Sequence, residues 1–409
     1  MTVPGGERGT WPAERDHPLP AVLARGGFIA VCSAICIPGF LVALPELALP
    51  ASLSFGLFVF GLASLGASVF LSFVEGLDRG NQPWIPVLVL TISAIIPFLN
   101  AGASFPTDNR NWLITHLALI AIILSTQYFS YRFIAAVLRA GMVASLATLV
   151  GGAAALSVDE RSLFLLDGRL RGVFGHANMT GLVAVAALLL ALGSSRWKRL
   201  DLVLSVSVIA AATSLTSLFA AGVGLAVWFV RKPPTRLFVW VVGILSLFVP
   251  AAAVQILGSH LDPTLFTGRT AAWQWAMALD VPPFRGLGIG LFEALGSGKL
   301  VPWFHTHNQV IMDYVSGGWP LALATVLLLI SVGYWAATSS DRRQLVMWSV
   351  LVLQCATEVP FVLNYPSGSM LSTAIILLLI VRARQRSNNI SRARQPDGRM
   401  NSQIRRMKL

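Results

Sequence analysis

Stretches of about 20 apolar residues recur from residue 27 to residue 381, and no other feature restricts the fold so strongly. A bilayer core of about 30 Å takes roughly 20 helical residues to cross, and hydrocarbon offers no partner to a bare peptide group. The runs therefore predict helices, and the chain reads as an all-α polytopic membrane protein. Charge agrees: only 12% of residues are Asp, Glu, Lys or Arg, against about 25% in soluble domains. Spans are read at 27–44, 52–74, 84–104, 112–130, 133–156, 179–194, 201–215, 217–230, 237–257, 318–338, 345–363 and 367–381, about 12 transmembrane helices in all.

Lys and Arg set the expected orientation, because cytoplasmic connections are enriched in them. Ser194-Ser195-Arg196-Trp197-Lys198-Arg199, Arg231-Lys232-Pro233-Pro234-Thr235-Arg236 and Asp341-Arg342-Arg343 are short basic connections. With Arg25 and the C-terminal tail they all fall on one side if 201–230 counts as two spans and both termini are cytoplasmic. The chain then divides into a cytoplasmic segment 1–26, a membrane domain 27–381 and a basic cytoplasmic tail 382–409. Residues 1–26 show no short cleavable signal, so the first span is expected to direct insertion.

The net charge of +12 would suit nucleic acid if it covered a surface. Residues 382–409, however, hold eight Arg, one Lys and one Asp, which is +8 of the total. A basic tail after a final span is an orientation signal and a partner for anionic membrane lipids, so no nucleic-acid partner is expected. Cys32, Cys36 and Cys355 lie in apolar stretches, where thiols act as small hydrophobes.

Two connections longer than turns then face outward, about 157–178 and 258–317, the second expected to contain short helices. The second contains Thr267-Gly268-Arg269-Thr270-Ala271-Ala272-Trp273-Gln274-Trp275, a helix pattern from Gly268 to Asp280 with Thr267 as N-cap and Pro282-Pro283 as terminator. Arg269 in its first turn adds to the positive end of the helix dipole and suits an anion such as phosphate. Equally, it suits an interfacial helix whose Trp273 and Trp275 sit at headgroup depth. Gly286-Leu287-Gly288-Ile289-Gly290 lacks the strand and helix of a dinucleotide site and reads as a flexible turn. Trp303-Phe304-His305-Thr306-His307-Asn308 follows, upstream of Asp313, Gly317 and Gly318. A histidine there can take a proton from a hydroxyl; His305 and His307 as metal ligands, or as an interfacial pair without chemistry, are the competing readings. The first outer connection ends Arg169-Leu170-Arg171-Gly172-Val173-Phe174-Gly175-His176-Ala177-Asn178, a second cationic patch suited to phosphate oxygens. Glu358, beside Val359-Pro360 at an expected outer boundary, is an ionisable group where such groups are costly.

Arg171 to Asn178, Gly268-Arg269-Thr270 with Trp273, Gly286-Leu287-Gly288, and His307-Asn308 with Gly317-Gly318 together resemble the O-antigen ligase and polymerase superfamily over roughly residues 100–340. The resemblance implies a metal-independent, inverting membrane glycosyltransferase of GT-C type, without cofactor, in a bacterial inner membrane. Such an enzyme moves a glycan from an undecaprenyl-diphosphate carrier to an acceptor hydroxyl at the periplasmic face. Carried over by motif, Arg171 and Arg269 hold the diphosphate and His307 is the candidate base, the three forming the catalytic set. Arg169, Asn178, Asn308, Trp273, His305 and Glu358 are the expected substrate-binding residues, and no metal is expected. The chain departs from the family at Thr216-Ser217-Leu218-Phe219, where many relatives carry a Ser-Arg pair.

Three acceptors fit. A ligase uses lipid A–core, a polymerase the growing polysaccharide and a protein O-oligosaccharyltransferase a protein hydroxyl; the ligase is the reading favoured. A transporter or flippase of the lipid-linked glycan is the rival from another class, and it would be expected to carry ionisable residues at mid-membrane and internal duplication. A structural subunit of an export complex is a further alternative.

Overall fold

The computed structural model describes residues 18–41, 51–74, 83–99, 106–154, 165–166, 168–192, 198–230, 232–260, 262–264, 268–289, 291, 306–339, 341–361 and 367–394. It is all-α, with one two-residue hairpin pairing Leu165–Leu166 (β1) with Arg169–Leu170 (β2). The first five helices are α1 Pro18–Leu41, α2 Ala51–Val74, α3 Trp84–Leu99, α4 Pro106–Leu124 and α5 Tyr131–Ala154. After the hairpin come α6 Ala177–Leu192, α7 Lys198–Ala212, α8 Leu215–Trp228, α9 Pro233–Ser246 and α10 Val249–Leu257. The remaining four are α11 Arg269–Ala278, α12 Gln309–Thr338, α13 Arg342–Thr357 and α14 Gly368–Arg394.

The expected spans fall largely on helical residues, with 237–257 divided between α9 and α10. Residues 201–230 form two helices, broken at Thr213 (φ 41°) and recapped by Ser214, whose hydroxyl accepts the Ser217 N–H. Among the described residues, five helices are long and apolar enough to cross a bilayer alone, six if α9 and α10, bent by 48°, count as one span. Four more are apolar but shorter, at 10–17 residues. Several long apolar helices, with Phe55, Phe60, Phe70 and Phe73 of α2 more than half exposed, mark a membrane protein.

Side-chain contacts mark two ends of the bundle. At one end Arg25 Nε donates to the Tyr128 carbonyl (3.0 Å), Arg342 to the Trp228 carbonyl (3.4 Å) and Arg236 to the Ser339 carbonyl, while the Arg343 guanidinium lies 4.7 Å from the Tyr131 ring centroid. Arg139 pairs there with Asp201 at 2.7 Å. The other end gathers the starts of α6, α8 and α12 and the last residues of α13.

Helix α6 forms the centre. Ala177 through Ala191 are all buried, so its apolar surface faces protein and not lipid. Small residues allow this: a Cβ on Gly181 would stand 2.2 Å from Ser217 Oγ of α8, and one on Gly224 of α8 would stand 2.6 Å from Leu189.

Helix α12 is broken at Gly318 (φ 68°, ψ −166°), where the expected span begins, so residues 309–317 of the expected outer loop are helical. Pro320 has no N–H, which strips the Ser316 carbonyl of its intrahelical donor. The Trp319 N–H turns away to the Pro283 carbonyl at 2.7 Å, which frees that of Val315. Both carbonyls are satisfied from outside the helix, by the N–H groups of Leu287 (2.7 Å) and Gly288 (3.0 Å). Gly286-Leu287-Gly288 is thus a docked segment and not a free turn. A Cβ on Gly318 would stand 2.5 Å from the Pro283 carbonyl oxygen and one on Gly286 would stand 2.4 Å from the Ser316 carbonyl carbon.

Candidate functional site

Helix α13 ends after Thr357, and the next residue, Glu358, turns extended (φ −144°) ahead of Val359-Pro360. Its carboxylate, on a residue only 1% exposed, is the centre of a polar network drawn from separate parts of the chain. Oε1 accepts from Arg269 Nη2 at 2.5 Å and from Asn178 Nδ2 at 2.6 Å. Oε2 faces His307 Nδ1 at 3.2 Å. Burying a carboxylate is tolerable only with charge and hydrogen bonds in compensation, and these three groups supply both.

Each partner is held by its own element. Arg269 opens α11 with Gly268 as N-cap (φ 82°), one residue later than the expected Thr267, which lies outside the described residues; the helix ends at Ala278, before the expected Asp280. The anion at this helix start is a carboxylate of the chain itself. Asn178 lies in the first turn of α6; its Oδ1 accepts from Ser214 Oγ (2.8 Å), and its backbone carbonyl accepts from Ser217 Oγ (3.3 Å). His307 sits in the left-handed region (φ 52°), uncommon for a residue with a side chain. Directly after it, Asn308 caps α12: its Oδ1 accepts the Ile311 N–H (3.0 Å) and its Nδ2 donates to the carbonyls of Leu247 and Ala356 (both 3.3 Å). That cap and the Gly318 break together set the position of His307 against Glu358.

The end of the first outer connection meets the same centre. His176 Nδ1 accepts the Asn178 N–H at 3.2 Å, which leaves the proton of the neutral ring on Nε2. Burial pushes the His176 pKa below its ordinary value; Glu358 opposes this, and Arg169, His307 and Arg171 add to it. Arg169, Arg171, His307 and Glu358 are therefore all electrostatic neighbours of one imidazole. Arg171 Nε donates to the Gly175 carbonyl at 2.7 Å, and the Arg171 carbonyl accepts from Thr180 Oγ1 at 2.6 Å, which pins the loop to α6.

Other expected site residues are placed differently. Trp273 is 6% exposed and packs in a small apolar cluster with Val281, Ile311, Met312, Val315 and Val359, docking α11 on the first turns of α12. Asn308, fully buried, is a cap that positions its neighbour. His305 lies outside the described residues. Among the described residues no three His, Cys, Asp or Glu side chains come together as a metal site.

No family model matches the chain, and no curated protein matches it.

Sequence reasoning missed two partners. Ser214 orients Asn178, and Thr216 Oγ1 accepts from Arg269 Nη2 at 3.3 Å. Thr216 stands in the segment where the family pattern has Ser-Arg, so this position touches the site through a hydroxyl. The signal was the Thr213-Ser214 break inside a long apolar run. Chemically, the carboxylate can orient His307, and the arginines offer a charged surface to an anion.

Proposed function

We propose that the chain is a metal-independent, inverting membrane glycosyltransferase with about twelve crossings and both termini cytoplasmic. It acts at the periplasmic face of a bacterial inner membrane and transfers a glycan from undecaprenyl diphosphate to an acceptor hydroxyl. The observation carrying this reading is the meeting of both expected outer connections at Glu358: Asn178 and His176 from one, Arg269 and His307 from the other. The clustering of the basic connections at the opposite end supports the orientation.

In this reaction the acceptor oxygen attacks the anomeric carbon from the face opposite the diphosphate, forming the new glycosidic bond as the carbon–oxygen bond to phosphate breaks. Undecaprenyl diphosphate leaves with the electron pair of that bond. Arg269, with Arg171 and Arg169 nearby, stabilises the charge that develops on it. His307 takes the acceptor proton; its side chain is 27% exposed, against 2% for Glu358, so it is the member of the pair that a hydroxyl reaches. Glu358 and Asn178 hold the polar frame. Asn308 positions His307, and Trp273 holds Arg269 in place through the packing of α11.

The enzyme is of ligase type, with lipid A–core as acceptor and membrane lipids around it. The test is a strain lacking this gene, with surface polysaccharide and carrier-linked glycan compared on one gel. Full-length polymer accumulating on its carrier, with bare lipid A–core, is the expected result. Single repeat units alone would reassign the protein as a polymerase. No change in either pool would remove the glycan-ligase reading.

A further inference from the structure

The Arg269–Glu358 ion pair has the features of an exchangeable contact. Arg269 Nη2 serves both Glu358 and Thr216, while the buried Nε meets no acceptor among the described residues. A guanidinium fork binds phosphate through two parallel donors, and here one edge donor lies idle until the group turns. Exposure is graded: the Glu358 side chain is 2% exposed, that of Arg269 13% and that of His307 27%. An anion arriving from the open side therefore meets His307 and Arg269 before Glu358. The carboxylate is also unevenly engaged, with Oε1 at 2.5 Å from Arg269 Nη2 and Oε2 at 3.2 Å from His307 Nδ1.

We propose that Glu358 holds the place at Arg269 that the donor's diphosphate takes, so that donor binding transfers Arg269 to phosphate and releases Glu358 to His307. This rests on the glycan-transfer reading above and adds regulation to it. Before exchange Oε1 of Glu358 is held by Arg269 while Oε2 faces His307 Nδ1. After exchange Arg269 no longer draws on the carboxylate, which is then free to close on His307 Nδ1 and fix the ring with its other nitrogen toward the acceptor hydroxyl. Proton removal from the acceptor is thereby coupled to the presence of a donor. Asn178, which donates to the same Oε1, keeps the carboxylate from leaving the site when Arg269 lets go.

The test is binding of inorganic pyrophosphate and of undecaprenyl diphosphate to the purified full-length protein in nanodiscs, by calorimetry. Glu358→Gln removes the competing charge, and it is expected to bind both probes about tenfold more tightly than wild type, one charge-assisted contact being at stake. Arg269→Gln is expected to bind them at least about tenfold more weakly. In transfer assays Glu358→Gln should lower KM and kcat together, a split that mere structural damage would not produce. Unchanged or weaker binding by Glu358→Gln overturns the exchange.

If that variant does not fold, carbodiimide labelling of wild-type Glu358, read by mass spectrometry, decides instead. Labelling should rise several-fold on saturation with pyrophosphate, and no rise overturns the proposal. Tighter binding by Glu358→Gln without glycan transfer in the gene-deletion strain would remove the transferase reading and leave the exchange standing.

Discussion

The two ends of the bundle handle charge in opposite ways. At the basic end, cations are distributed: Arg25, Arg236 and Arg342 each reach a backbone carbonyl, and Arg139 has its own carboxylate in Asp201. These contacts tie helix ends together. At the site end, donors from three separate segments converge on Glu358, a residue 1% exposed. Charge spread over many carbonyls is a structural fitting that tolerates the loss of one member. Charge concentrated on one buried carboxylate makes every donor depend on the others, as expected of a site kept for chemistry.

The largest effects are expected from removing the basic groups around Glu358. Arg269→Gln should reduce glycan transfer by about 10²–10³-fold, as loss of a group stabilising a leaving anion does. His307→Ala should cost about 10²-fold or more, measured at saturating donor. Near-normal transfer in both variants would remove the site.

Gly318→Ala tests the scaffold between the ends. A Cβ there meets the Pro283 carbonyl oxygen at 2.5 Å and must also adopt a positive φ. A stability loss of about 2–4 kcal/mol is expected, read from thermal unfolding of the purified protein, with a fall in transfer as His307 shifts. An unchanged melting temperature would show that the docked 286–288 segment contributes little.

Asp201→Asn, at the basic end, should leave transfer intact. Its stability cost should be about 1–2 kcal/mol, since the Arg139 side chain is 22% exposed and partly screened. Loss of transfer here would mean that the two ends are coupled.

The smallest effect concerns pH. Burial holds the His176 pKa below the ordinary imidazole value of about 6.5. Above that value neither folded nor unfolded chain carries the proton, and the residue adds no pH dependence. As pH falls below it, the unfolded chain binds a proton that the folded site resists, so stability declines. His176→Asn should flatten this acid limb, read as melting temperature against pH. An unaltered slope would place the titrating group elsewhere.

The all-α character was legible, because a helix in lipid must be apolar along its length and such runs announce themselves. Lengths were less so: α6 reads like a span, yet it is buried on every side by protein, and hydropathy does not separate lipid from a protein interior. Gly286-Leu287-Gly288 and Gly317-Gly318 were visible as unusual segments. That one supplies the hydrogen bonds the other lacks could not be read from either alone.

The candidate site divides in the same way. Arg269, His307 and Asn178 stood out as polar groups at the ends of apolar runs, a local property of sequence. Their common centre did not, because Glu358 is 180 residues from Asn178 and 89 from Arg269 in the chain. Trp273 looked like a ligand contact and serves as packing, since an aromatic ring at a helix start is equally suited to both. An all-α membrane protein with polar groups gathered between apolar runs follows from the residues alone, since the solvation of peptide groups and charges is decided residue by residue. That Glu358 takes Arg269, Asn178 and His307 at once follows from packing, because a buried carboxylate draws its donors from whichever helix ends are brought to it.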